Sequence, residues 1–162
     1  MEAVSQYSGF LAAHNIDRVF QGEDIVPILA YEKADGSHDI LKLPEPLHVG
    51  LSQASEWLRE NPEKASHAVV VFQGSVVIDD KDVDAIICQS VQFDPELIRF
   101  KIATPFKRAK DPSKFKVYRI KIMDYQGPEN PDFDAIVAAF FSGIENNEQG
   151  ADVWYDHLDQ SK

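Results

Sequence analysis

The sequence predicts an α+β protein: about six mostly antiparallel strands, a hairpin plus a four-strand meander, with helices packed on the sheet in the order α-ββ-α-ββββ-α-α. Three observations carry this. Apolar residues recur at helical spacing near both ends of the chain and again ahead of Pro62. Four β-rich runs fill the stretch from residue 67 to residue 123, joined by short polar turns. Asp35-Gly36 lies between two further apolar runs, where a tight hairpin turn belongs. A chain of 162 residues is read as a single domain, 1–162.

Each element has its own warrant. Val4, Tyr7 and Leu11 mark a first helix over residues 2–14. Ile25 to Tyr31 and Ile40 to Leu43 are the hairpin strands. A second helix is expected over residues 48–60, with Leu51, Ala54 and Leu58 turned inward. It should stop by Asn61, because Pro62 disfavours helical geometry in the residue before it. The meander begins with "HAVVVFQGSVVI", where Gly74 suggests a bulge. It continues through "VDAIICQSVQF", "LIRFKIATPF" and "FKVYRIKIM". The first two runs are apolar on both faces and are expected at the centre of the sheet. The last two alternate, as strands with one wet face do.

The C-terminal helix carries the fullest set of signals. Asn130 suits the N-cap, Pro131 the first turn, and Asp132 and Asp134 complement the dipole. Phe133, Ile136, Val137, Phe140, Phe141 and Ile144 then form one apolar stripe. "DVWYDHL" reads as a last short helix.

Charge is unevenly spread. Residues 99–121 hold nine basic residues and one acid, while the rest holds seven basic and twenty-six acidic residues. An exterior this acidic repels nucleic acid and anionic membranes. The N-terminus has no basic leader and no apolar run approaches a membrane span, so a soluble, cytoplasmic protein is expected. Cys88 is the only cysteine, which excludes an internal disulfide.

No motif with a catalytic mechanism is present, which argues against an enzyme, and no cofactor is expected. His14, His38, His48, His67 and His157 show neither HExxH nor HxH spacing, so no metal site is expected from the sequence. "IDDKDVDA" lacks the glycine and distal glutamate of a calcium loop and reads as a hairpin turn. Cys88, in the apolar run "AIICQS", reads as inert packing.

Two surfaces are candidates for binding. A turn near Asp111-Pro112 would pair Ile102 with residue 118 or 120, placing Arg99, Lys101, Arg119 and Lys121 on one face of adjacent strands. Trp154 and Tyr155 form the second, since such residues are enriched at interfaces. The expectation is a non-enzymatic protein-binding module, adaptor-, chaperone- or immunity-like. Its partner would be another protein or a second copy of itself, with a homodimer preferred over a monomer. The alternative is a protein, an enzyme included, that takes an anionic small molecule or nucleotide on the basic hairpin 99–121.

Overall fold

The computed structural model describes residues 1–161. It has four helices and a mostly antiparallel sheet of eight strands. The α+β class is as expected, with two strands more than the sequence predicted. In chain order the elements are α1 (Glu2–Phe20), β1 (Ile28–Glu32), β2 (His38–Lys42), α2 (Leu47–Glu60), β3 (His67–Ile78), β4 (Lys81–Gln92) and β5 (Ile98–Lys107). A short 3-10 turn (Pro112–Lys114) follows. Then come β6 (Lys116–Tyr118), β7 (Lys121–Gln126), α3 (Phe133–Glu145), α4 (Glu148–Asp156) and β8 (Leu158–Asp159). The sheet runs β2-β1-β3-β4-β5-β6-β8, with β7 also on β5. Its one parallel pair is β6 with β8.

Period-two alternation sorts the strands onto two faces. Val69 and Val71 of β3, Ile86 and Cys88 of β4, and Phe100 and Ile102 of β5 face α1, α3 and α4. Ala68 and Val70, one residue out of phase, meet Ala54 and Leu58 of α2 on the other face. Beyond α2 that second face carries only a small cluster of Val76, Ala85, Ile87 and Ala103.

Several expectations need correction. α1 runs on to Phe20, because Ile16 and Val19 continue its buried side. α3 is capped by Asp132, not Asn130: the Asp132 carboxylate accepts from the Ala135 N–H at 2.9 Å. Asn130 instead adopts φ 56°. Phe133 is therefore at the very start of the helix and 43% exposed, edge-on to Tyr125. Gly74 makes no bulge; it pairs in register with Ala85, and a side chain there would press on Ile87.

The last predicted strand is broken. Val117 of β6 lies opposite Phe106, whereas Ile122 of β7 lies opposite Ile102. Arg119 and Ile120 fall between the two pieces, outside the ladder. The turn around Asp111 also takes more chain than a tight hairpin, so Ile102 pairs with residue 122 rather than 118 or 120. A bulge follows: Lys101 faces Met123 but Arg99 faces Gln126, with Asp124 at φ 50°.

The helical layer is held by close approach. A Cβ on Gly9 of α1 would overlap the Phe140 carbonyl of α3, and one on Gly143 would overlap the Gln6 carbonyl. Phe140→Ala should cost about 3–5 kcal/mol, since the ring is fully buried between α1, the sheet and Trp154. Gly143→Ala should cost about 1–3 kcal/mol or more by forcing the helices apart. Urea unfolding of the two variants checks both figures; an unchanged midpoint for Gly143→Ala would refute the close-contact account.

Candidate functional site

The densest group of functional side chains lies at one end of the sheet. Antiparallel pairing sets Glu32, the last residue of β1, opposite His38 of β2 on one side and opposite His67 of β3 on the other. Directly opposed residues point to the same face, so the three form a row. Their parity is that of Ala30 and Val69, which face α1.

Local sequence fixes this register. The turn after β1 is closed by the Lys33 N–H donating to the Ser37 carbonyl at 2.8 Å. Gly36 supplies φ 86°, and Asp35 accepts from the Ser37 N–H and hydroxyl. On the other side, Asn61 caps α2 in the left-handed region and its amide bonds to both N–H and carbonyl of Ala65. Ser66 then donates its N–H to the Glu32 carbonyl at 2.9 Å, and its hydroxyl reaches the same oxygen at 3.2 Å. The two histidines are thus delivered to Glu32 by a turn and a helix cap.

Glu32 Oε2 lies 3.0 Å from His67 Nε2 and 4.0 Å from His38 Nε2. Tyr7 of α1 covers the row, its ring centroid 4.7 Å from His38 and 5.9 Å from His67. A hollow of about 280 Å³ opens there, walled by Ala3, Tyr7 and Phe10 and by the amides of Gln6 and Asn146. His67 is 5% exposed. Burial holds its imidazole below the ordinary value; the Glu32 carboxylate opposes this and His38 adds to it. Desolvation outweighs the nearby carboxylate, so His67 is neutral at neutral pH. Burial, with Glu32 adding, pushes the Tyr7 hydroxyl upward. His67 Nε2 has no hydrogen-bonding partner despite its closeness to Glu32. Two imidazoles and one carboxylate are donors of the kind a transition metal takes.

The residues singled out from sequence are dispersed. Arg99 and Lys101 share a hollow of about 330 Å³ with Gln89, Asp124 and Gln126. Lys101 Nζ pairs with Asp124 at 3.5 Å. Lys121 lies opposite Ala103, on the same face as Lys101. Arg119, in the break between β6 and β7, borders a different hollow with Val137, Phe141 and Trp154. Trp154 is fully buried against Phe140 and Phe141, so the contact surface of that segment reduces to Tyr155. Tyr155 is 44% exposed and donates to Glu145 Oε1 at 3.4 Å. Among the described residues no helix is long and apolar enough to cross a membrane.

Sequence spacing alone missed the site: Glu32 and His38 face each other across a turn, and His67 lies 29 residues beyond His38. The usable signal was the hairpin turn, which once placed dictates that Glu32 and His38 oppose each other.

No family model matches the chain, and neither the curated proteins nor the solved structures contain a match.

Cys88 lies against the Ser8 carbonyl of α1, and burial pushes its thiol up to about 12. It should therefore resist a disulfide reagent in the native protein and react fully after unfolding. Rapid labelling of the folded chain would contradict this packing.

Proposed function

We propose that the protein is a non-enzymatic binding module that recruits an extended segment of another chain along β2, with a second copy of itself as the first partner. The observation that supports this reading is the state of β2. All five of its residues, His38 to Lys42, are exposed, and it pairs with β1 on one side only. Ile40 is 54% exposed and Leu41 40% exposed, one on each face of the edge. Edge strands present unpaired N–H and C=O groups, and apolar side chains beside them favour the addition of another strand.

The test is sedimentation together with hydrogen exchange. The wild-type chain should form a dimer at tens of micromolar, with protection of the β2 amides rising with concentration. Ile40→Lys should remain monomeric, since two-fold antiparallel pairing would set residue 40 against or near its copy. An 18.2 kDa species at every concentration, with β2 amides exchanging freely, would reject self-pairing.

A second reading has its own support. The Arg99 Nε atom is buried without a hydrogen-bond partner beside Lys101, Gln89 and Gln126. That set suits a small anion. Inorganic pyrophosphate should then bind with an affinity that falls steeply with salt, and Lys101→Gln should weaken it about tenfold. Absence of saturable binding at low salt would rule this reading out.

A further inference from the structure

We propose that Glu32, His38 and His67 form a three-ligand site for one divalent late transition-metal ion, with zinc as the reference ion. The site shares His38 with β2 but rests on its own observations and on neither reading above.

Geometry is the first support. One ligand atom from each of the three residues lies within 4.8 Å of the other two. Two ligands on a tetrahedral zinc sit about 3.3 Å apart, given bonds of about 2.0–2.1 Å. The Glu32–His67 separation of 3.0 Å already meets this, and the Glu32–His38 separation of 4.0 Å closes with a small torsion of an exposed side chain.

The second support is the burial of one member of the cluster. His67 is 95% removed from solvent, yet its Nε2 has no hydrogen-bonding partner and faces Glu32 across the row. Its contact with the Glu32 carboxylate at 3.0 Å is an ion-pair approach without hydrogen-bond geometry, which leaves the Nε2 lone pair open to another partner. An ion between the three side chains would satisfy that atom, because Nε2 then donates its lone pair to the metal.

The donor set selects the metal class. Imidazole nitrogens suit zinc, copper, nickel and ferrous iron, whereas calcium and magnesium require more oxygens than one carboxylate provides. Imidazoles bind a metal as neutral donors, so the one carboxylate supplies the single negative charge that meets the dication. Three protein ligands also leave one tetrahedral position directed toward the hollow walled by Tyr7 and Phe10, where water or a small ligand completes the sphere.

The support around the ligands is of the kind such sites require. Ser66 holds the Glu32 backbone through two hydrogen bonds to its carbonyl. The Tyr7 ring restricts both imidazoles from above. Because the ligands come from three neighbouring strands, the ion would join β2 to β1 and β3 through side chains as well as through the ladder.

The chain is freed of metal by chelator and titrated with zinc chloride by calorimetry. One equivalent should bind saturably, and cobalt substitution should give the visible absorption of a tetrahedral nitrogen–oxygen site. In imidazole nitrogen spectra, His38 and His67 should shift while His14 does not. His38→Ala removes an exposed ligand without disturbing the core, and should lower affinity at least about tenfold, as should Glu32→Gln. His14→Ala, on the exposed side of α1, should leave affinity unchanged. Zinc should raise the melting temperature of the wild type and not that of His38→Ala. Non-saturable uptake by the wild type, or saturable uptake that survives both His38→Ala and Glu32→Gln, would overturn the assignment.

Discussion

The contact between α1 and the C-terminal helices governs this structure. It is made at backbone distance, through glycines on both partners. Gly9 of α1 admits the Phe140 carbonyl, Gly143 of α3 admits the Gln6 carbonyl, and Gly150 of α4 admits the Ala13 carbonyl. Three such points along α1 leave little freedom in rotation or translation. A glycine inside a helix costs about 0.5–1 kcal/mol relative to alanine. Here that cost is offset by burial of Ile136, Phe140, Ile144 and Trp154 against the sheet, each of which is fully enclosed. A hydroxyl adds specificity: Ser5 of α1 donates to the Ile136 carbonyl at 2.6 Å.

The same contact positions the candidate site. Gln6, Tyr7 and Phe10 lie on the turns of α1 flanking Gly9, and all three line the hollow above Glu32, His38 and His67. Asn146, just past α3, lines it as well. The helical layer thus forms the roof of a site whose floor is the end of the sheet. Ser8 ties the two together, donating to the Val4 carbonyl or sharing a 2.7 Å hydrogen bond with Ser90 of β4. A shift of α1 large enough to accommodate a side chain at Gly9 or Gly143 would displace the Tyr7 ring from its place over the two imidazoles.

Much of the fold was legible because it rests on local periodicity. The stripe from Ile136 to Ile144, the two-sided apolar character of β3 and β4, and the stop of α2 at Asn61 were all visible as patterns. The turn expected at "DDKD" is present but tighter: Asp79 and Asp80, both at positive φ, make it alone, and Lys81 already pairs with Ile78. What was not legible depends on pairing at a distance. The break at Arg119 and Ile120 lies inside a run that alternates cleanly, and only the competing demands of β5, β7 and β8 reveal it. The site is of the same kind. His38 and His67 carry no motif, and their meeting at Glu32 exists only after β1 has taken β2 on one side and β3 on the other. Trp154 shows the same dependence: its segment reads from sequence equally as packing and as an interface. Only the return of α4 onto α3 decides for packing, with Trp154 fully buried against Phe140 and Phe141.

The concentration of positive charge in residues 99–121 has a structural account in the same terms. Lys101 pairs with Asp124 of the adjoining β7. Lys116 of β6 lies 3.8 Å from Asp159 of β8, at the one parallel junction of the sheet. Arg108 donates to the Glu23 carbonyl at 3.0 Å and approaches Asp24 at 4.0 Å, joining the end of β5 to the segment after α1. Exposed pairs like these contribute about 0–1 kcal/mol each, so they do not drive folding. Their effect is on arrangement. The rest of the chain is strongly acidic, and the short strands β6 and β8 have little hydrophobic area of their own with which to choose a neighbour. A basic segment meeting acids from both ends of the chain makes the observed docking less repulsive than its alternatives. Arg99 differs from these, because its Nε is buried beside Gln89 and Gln126 with no partner. Charge balance accounts for Lys101, Arg108 and Lys116, and it does not account for the buried Nε of Arg99.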